Sequence, residues 1–290
     1  MTRLPADFAP LRRPVLVAAF EGWNDAGDAA SDAVEHLRTA WQAREVAALD
    51  PDDYYDFQVN RPFVRLLDDG QRSITWPTCR FTVCSPPGAD RDVVLVQGHE
   101  PNMRWRAFCD EVIGTAEALG VEMVVTLGAL LADSPHTRPV PVNGTASDRA
   151  TTEALGLERS RYEGPTGIVG VLQDACASAG LPAVSFWAAV PHYVSTPPVP
   201  KATLALLRRV EDLLDVPVPL GELPEDAREW ERQVDEVAAG DEDVKAYIAT
   251  LEEREPAVDL PEASGEAIAK EFERYLRRGR RCRSRRCRWR

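Results

Sequence analysis

Three of the four histidines in this 290-residue chain fall in loops that follow strongly apolar runs. His99 and Glu100 sit in QGHEPNMRW (97–105), His136 and Arg138 in LGALLADSPHTRPVPVNG (127–144), and His192 and Tyr193 in VPHYVSTPPVP (190–200). A fourth loop, EGWNDAGD (21–28), adds Trp23, Asn24, Asp25 and Asp28. Imidazole beside carboxylate supports two chemistries: a metal site in which Asp25, Asp28 or Glu100 joins the histidines, or a general acid and base pair. The spacing specifies neither one. H-E-x-x-H is missing, since Pro101 and Asn102 follow His99 and Glu100. The plainer reading, in which these histidines hydrogen-bond loop backbone, is preferred. No catalytic residue, cofactor or metal is therefore assigned, and the ten named residues are held as a candidate ligand or partner surface.

Other fingerprints are absent. There is no G-x-S-x-G elbow, and Asp133, Ser134 and His136 lie too close in sequence for a triad, whose members converge from separate elements. Gly164, Gly167 and Gly170 are spaced by three, which suits a turn and close helix packing better than a phosphate loop. In the loop at 21–28, Asn24 or Asp25 is placed to cap the following helix, Gly27 permits a tight turn, and Asp28 adds negative charge at the helix's positive end. A helix start holding two carboxylates is a poor anion cradle, which disfavours phosphoryl chemistry. Trp23 is either a lid over the core or a contact aromatic, with the core reading preferred.

The elements that must carry these loops follow from periodicity. The apolar runs at 15–20, 93–96, 121–127 and 183–190 read as strands covered on both faces. Helical spacing marks 30–41, 105–119, 167–179 and 201–214, with Gly120 and Gly180 as C-terminal caps. Strands at 45–49 and 79–84 complete the pattern, and 63–67 with 73–76 flank Asp68, Asp69 and Gly70 as a hairpin. Alternating strands and helices predict a three-layer α/β/α fold, and the hairpin argues for a mixed central sheet. Ligands of open α/β sheets bind beyond the strands' carboxyl ends, where the histidine loops fall.

A core domain is expected over 1–216. A proline-rich linker (217–224) leads to an acidic helical extension (225–278) with apolar stripes at Trp230, Val234 and Val237, at Val244, Tyr247, Ile248 and Leu251, and at Ile268, Phe272, Tyr275 and Leu276. Those stripes are expected to dock on the core or on each other. The basic tail (279–290) is expected to be disordered. Hydrophobic content of 44% with 28% charged residues is that of a globular protein.

Net charge is −13, and nine arginines with no acid lie between 277 and 290, so the remainder is more acidic still. Such a surface argues against nucleic acid and anionic membrane as partners. No apolar run suits a signal peptide or a bilayer span, so a cytoplasmic location is expected. The six cysteines show no C-x-x-C spacing and are read as reduced; the sequon at Asn143 is then only a turn.

Four segments together, GWNDAGDAAS, QGHEPNMRW, LGALLADSPHTRP and SFWAAVPHYVSTPPVPKA, resemble in order the hallmark segments of the proteasome assembly chaperone 2 family, in its bacterial branch. The resemblance spans roughly 14–275. It implies a phosphorylase- and hydrolase-like α/β/α core, homo-oligomers with a trimer favoured, and a role in assembling proteasome α-type subunits. It carries over no catalytic residue. Relatives outside bacteria use a C-terminal hydrophobic-Tyr-any-residue tail; this chain ends Arg288, Trp289, Arg290 and departs from that pattern. The leading expectation is thus a non-enzymatic protein-binding or assembly factor. The alternative is a hydrolase or phosphorylase-like enzyme, which requires Asp25, Asp28, His99, His136 and His192 to converge in one pocket.

Overall fold

The unbroken apolar run near the start forms β1 (Val15–Glu21), and its alternating side chains feed two separate cores. Val15, Val17 and Ala19 face one, Leu16, Ala18 and Phe20 the other. A strand covered on both faces has no polar side to show, which explains the absence of alternation. The computed structural model describes residues 9–253. The stripe at 268–276, the basic tail, Cys282 and Cys287 lie outside the described residues.

After β1 come α1 (Ala29–Ala40), β2 (Arg44–Ala48), a single helical turn α2 (Pro51–Tyr54), β3 (Phe63–Leu66), β4 (Arg72–Thr75), β5 (Arg80–Cys84) and β6 (Val93–His99). The chain continues through α3 (Trp105–Ala118), β7 (Met123–Ala132), β8 (Val142–Ala146), α4 (Arg149–Leu155), α5 (Ile168–Ala179), β9 (Ala183–Pro191), α6 (Pro200–Leu214), α7 (Leu223–Ala239) and α8 (Glu242–Glu253). Seven strands make the central sheet in the order β2-β5-β6-β1-β7-β9-β8. β6, β1, β7 and β9 are parallel, whereas β5 runs against both β2 and β6, and β8 against β9. Helices α1, α6 and α7 pack in one core, α3 and α5 in the other. The fold is the expected three-layer α/β/α arrangement with a mixed sheet.

Three details differ from the sequence reading. The hairpin β3–β4 forms, but as its own two-stranded sheet, so the mixed character comes from β5 and β8 instead. β7 runs on past residue 127 because β9 continues alongside it, pairing through Ala132 and Pro191. β8 and α4 lie in a stretch with no clear periodicity. VNGTA has weak strand propensity and becomes a strand by pairing with β9, so the sequon at Asn143 is strand and not the turn expected, while Asp148 starts α4 by accepting from the Thr151 amide.

The first acidic helix docks on the core through part of its stripe: Trp230 and Val234 of α7 are buried with α6, whereas Val237, expected with them, stands in solvent. The proline-rich segment before it is held too. Val216 and Val218 are buried, and the fourth histidine, His36 on α1, bonds the Pro219 carbonyl at 2.8 Å. Cys79, Cys84, Cys109 and Cys176 are buried free thiols. Among the described residues no helix is long and apolar enough to cross a membrane.

Candidate functional site

The parallel strands bring all four candidate loops to one edge of the sheet, and there the loops divide into two groups. The first surrounds the end of β1. Gly22 leads out of the strand at φ 121°, Trp23 is half exposed, and Asn24 and Asp25 turn inward and are buried. The Asn24 carbonyl accepts from the Ala129 amide of β7 at 2.8 Å, which fixes the loop against the sheet. Its side-chain Nδ2 donates to Glu100 Oε1 at 2.7 Å, and the same oxygen accepts from the Ile168 amide at 2.8 Å. Glu100 therefore joins the β1 loop to the start of α5, where a carboxylate also suits the helix dipole.

Asp25 caps α1. Its Oδ1 accepts from the Ala30 amide at 2.7 Å, and both carboxylate oxygens lie 3.3 Å from the Ser31 amide. Burial outweighs these bonds and pushes the Asp25 carboxyl up to about 6. Asp28, exposed and in the left-handed region, makes no cap bond; partial desolvation and nearby Glu21 hold its carboxyl above the usual carboxylate range. His99 faces Glu21 across the β6–β1 pairing, Nδ1 to Oε2 at 2.7 Å, and that hydrogen bond raises its basicity.

A raised acid has a definite pH signature. Below the ordinary value of 3.8 Asp25 is protonated in both states; above about 6 it is ionised in both, and the folded state carries the desolvation penalty. Stability attributable to Asp25 thus falls as pH rises through that window, by about 3 kcal/mol at most. Asp25→Asn retains one acceptor for the Ala30 amide and removes the titration. Relative to wild type, the variant should gain about 2–3 kcal/mol between pH 4 and pH 7 in urea unfolding. A difference independent of pH would contradict the assignment.

The second group lies under α7 and α8. His136 is 1% exposed, and its amide donates to the Tyr193 hydroxyl at 2.8 Å. The same hydroxyl is 2.8 Å from Nδ1, and Nε2 lies 2.9 Å from the Asp235 carboxylate of α7, an acceptor that calls for the proton on Nε2. The His136 carbonyl accepts from Lys201, which pairs with Glu231 of α7 at 2.6 Å. Desolvation pushes the Tyr193 phenol up to about 12. His192 sits 3.4 Å from Asp133, with its ring edge-on to Tyr193 and Tyr247. Tyr247 of α8 also donates to Asp133 at 3.0 Å, while Thr137 and Arg138 bond Glu252. Two helices from beyond the proline-rich segment seal this half of the edge.

The convergence that enzymatic chemistry requires does not occur, and the preferred reading that these histidine rings bond loop backbone is corrected too: His99 pairs with Glu21, His136 with Tyr193 and Asp235, and His192 lies beside Asp133. β1 and β7 separate His99 from His192, Asp25 is engaged by helix backbone, and His136 is closed off by α7. Among the described residues no group of three or more His, Cys, Asp or Glu could hold a metal ion. Trp23 is exposed because Asn24 and Asp25 take the inward positions, so the preferred core reading of that residue is corrected to a surface aromatic. Asp235, Glu231, Tyr247 and Glu252 were not foreseen as site neighbours. They lie on acidic helices whose sequence shows only an apolar stripe, and nothing in that stripe says which loops it will cover.

The arrangement is that of a known family, whose model, the PAC2 family, matches residues 19–238. The chain belongs to the PAC2 family. A PAC2 family protein from Streptomyces avermitilis MA is 63% identical over 81% of this chain and 99% of its own, with a TM-score of 0.77. A proteasome-assembly chaperone homologue of Mycobacterium tuberculosis is 61% identical over 81% and 99%, with a TM-score of 0.74. An archaeal proteasome activator from Pyrococcus furiosus shares only the fold, at 16% identity over 82% and 98%, with a TM-score of 0.64. No curated protein matches the chain. Within the PAC2 match fall all ten candidate residues and all but the last residue of α7, the helix that covers His136.

Proposed function

We propose that this PAC2 protein is a non-enzymatic protein-binding and assembly factor of the proteasome assembly chaperone type, with proteasome α-type subunits as clients. One observation carries the reading: Asp25 caps α1, Glu100 joins two loops and His136 is held beneath α7, so the strand-end groups where chemistry would reside are divided among structural roles. The 61% identity to a proteasome-assembly chaperone homologue supports it. Homo-oligomers, with a trimer favoured by family resemblance, and a cytoplasmic location belong to the same proposal, as does an acidic surface that excludes nucleic acid and membrane.

The partner surface proposed is the open half of the edge, with Trp23, Asp28, His99 and the rim of Glu100; Asn24 and Asp25 support it from beneath, and His136, Arg138, His192 and Tyr193 tie down its covered half. An exposed aromatic on a loop fixed by buried bonds is well suited to be a contact anchor. Affinity purification of the full chain from its own cell extract should recover proteasome subunits, and its deletion should slow proteasome assembly. Trp23→Ala should weaken that recovery about 30-fold, the equivalent of about 2 kcal/mol, without changing the melting temperature. Complexes free of proteasome subunits, together with normal assembly in the deletion strain, would overturn the proposal.

A further inference from the structure

Between α1 and the β2-β5-β6-β1 side of the sheet lies a cavity of about 380 Å³, at the small end of the roughly 300–1,000 Å³ range of small-molecule sites. Glu21 of β1, Arg80 and Thr82 of β5, Glu45 of β2, and Glu35 and Arg38 of α1 line it. No large apolar side chain is among its walls, so an apolar guest has nothing to pack on. Thr82 is only 6% exposed, and it faces the α1 side of β5, because Phe81 and Val83 on either side of it enter the opposite core. Its hydroxyl has no hydrogen-bond partner among the described residues. Buried hydroxyls are ordinarily bonded, so a polar group is missing from this place.

The charges give the cavity two unlike ends. Arg38 holds Glu35 through Nε and Nη2, at 2.7 and 2.5 Å, the edge by which a guanidinium takes a carboxylate in two parallel bonds. Arg80 holds Glu45 through Nη1 alone, 3.1 Å from each oxygen, and its Nε and Nη2 make no hydrogen bond among the described residues. The corresponding edge of Arg80 is open. At the β1 end acids are in excess. Glu21 pairs with His99 through Oε2, and half-buried Asp32 is close enough to Asp28, Glu35 and Glu21 that, after desolvation, all three raise its carboxyl. Glu35 and Glu45 are matched by the two arginines; Glu21, Asp28 and Asp32 have only His99 against them, so this end stays negative even with the imidazole protonated.

We infer that this cavity binds a small zwitterion, an amino acid or a dipeptide, with its carboxylate on the open edge of Arg80, its ammonium at Glu21 and Asp32, and Thr82 supplying a further polar contact. β5 and β1 lie two strand spacings apart, about 10 Å, which the reach of an arginine and a glutamate narrows to the length of such a molecule. A phosphate-bearing ligand would meet the excess acids, and a polyamine would leave the Arg80 edge unused. Glu21 also holds His99, which belongs to the proposed partner surface, so the ligand would sit directly behind that surface. The inference is independent of the client.

Calorimetric titration of the full chain with each protein amino acid and its glycyl dipeptide tests it, with the melting temperature as a second readout. At least one of these probes should bind with a Kd of about 1 mM or tighter. Its decarboxylated amine and its N-acetyl derivative, each lacking one charge, should both bind about tenfold more weakly or worse. Two variants assign the ends. Arg80→Met should no longer distinguish the probe from its decarboxylated amine, and Glu21→Gln with Asp32→Asn should no longer distinguish it from its N-acetyl derivative. A loss of discrimination confined to one end is not what misfolding produces. Neither heat nor a shift in melting temperature from any probe would overturn the inference, as would binding that keeps both discriminations in the variants. A site that behaves as expected in a chain that recovers no proteasome subunits would stand, and only the client would fall.

Discussion

Gly27→Ala should destabilise the fold by about 2–5 kcal/mol, a large share of the stability of an ordinary domain. Two penalties add. Gly27 is at φ 65°, a left-handed conformation that costs an L-residue about 1–2 kcal/mol. A Cβ there would also lie 2.4 Å from Val199 Cγ2, and overpacking a closed contact of this kind costs about 1–3 kcal/mol. Neither neighbour can yield easily, because the Gly27 carbonyl accepts from the Val199 amide at 3.1 Å just before α6. A drop of roughly 10 °C in melting temperature is expected, at about 2–4 °C per kcal/mol. The parts can be separated. Val199→Ala makes room for the new methyl, so the double variant should recover the steric share while the backbone share persists, giving a coupling of about 1–3 kcal/mol. A single variant within 1 kcal/mol of wild type would mean the loop moves away freely, and the rigid seating of Trp23 would fail with it.

The sheet and its helices were legible because burial leaves a periodic trace. β1, β6, β7 and β9 are unbroken apolar runs since helices cover both their faces, and α1, α3, α5 and α6 carry stripes that face one core each. β8 leaves no such trace: its residues reach the strand state through pairing with β9, a contact that sequence spacing does not encode. The hairpin shows the converse. Its turn chemistry is local, so the ribbon was foreseen, but its separation from the central sheet depends on tertiary placement.

The site was legible in its membership and not in its grouping. Strand-end position follows from topology, so the four loops do share one edge. Which loops touch depends on strand order, and β1 with β7 come between β6 and β9. The role of His136 depends on Asp235, 99 residues further on, which only the docking of α7 brings within reach. An exposed Trp23 beside buried Asn24 and Asp25 is likewise a matter of backbone direction after Gly22, where φ is 121°.

Glu100→Ala should cost about 2–7 kcal/mol, and the pattern among its relatives distinguishes a joining role from a catalytic one. The carboxylate accepts from the Asn24 side chain and the Ile168 amide through one oxygen. Its removal strands both donors, at about 1–3 kcal/mol each for a buried group, with a further ~0.3–1 kcal/mol for charge lost at the start of α5. Asn24 cannot turn to a new partner. Its Oδ1 already lacks one among the described residues, and its amide fills the space beside Gly167, where a Cβ would lie 2.2 Å away. Glu100→Gln keeps an acceptor oxygen and should cost only about 1 kcal/mol, the difference between charge-assisted and neutral bonds. Asn24→Ala removes one of the stranded donors, so combined with Glu100→Ala it should be less costly than the sum of the two. Urea unfolding of the four chains measures the cycle. A joining carboxylate tolerates Gln because geometry is what it supplies; a general acid or base does not, because Gln cannot carry the proton. If Glu100→Ala stays within 1 kcal/mol of wild type, the β1 loop is held to α5 by something other than this carboxylate, and Glu100 becomes available for a different role.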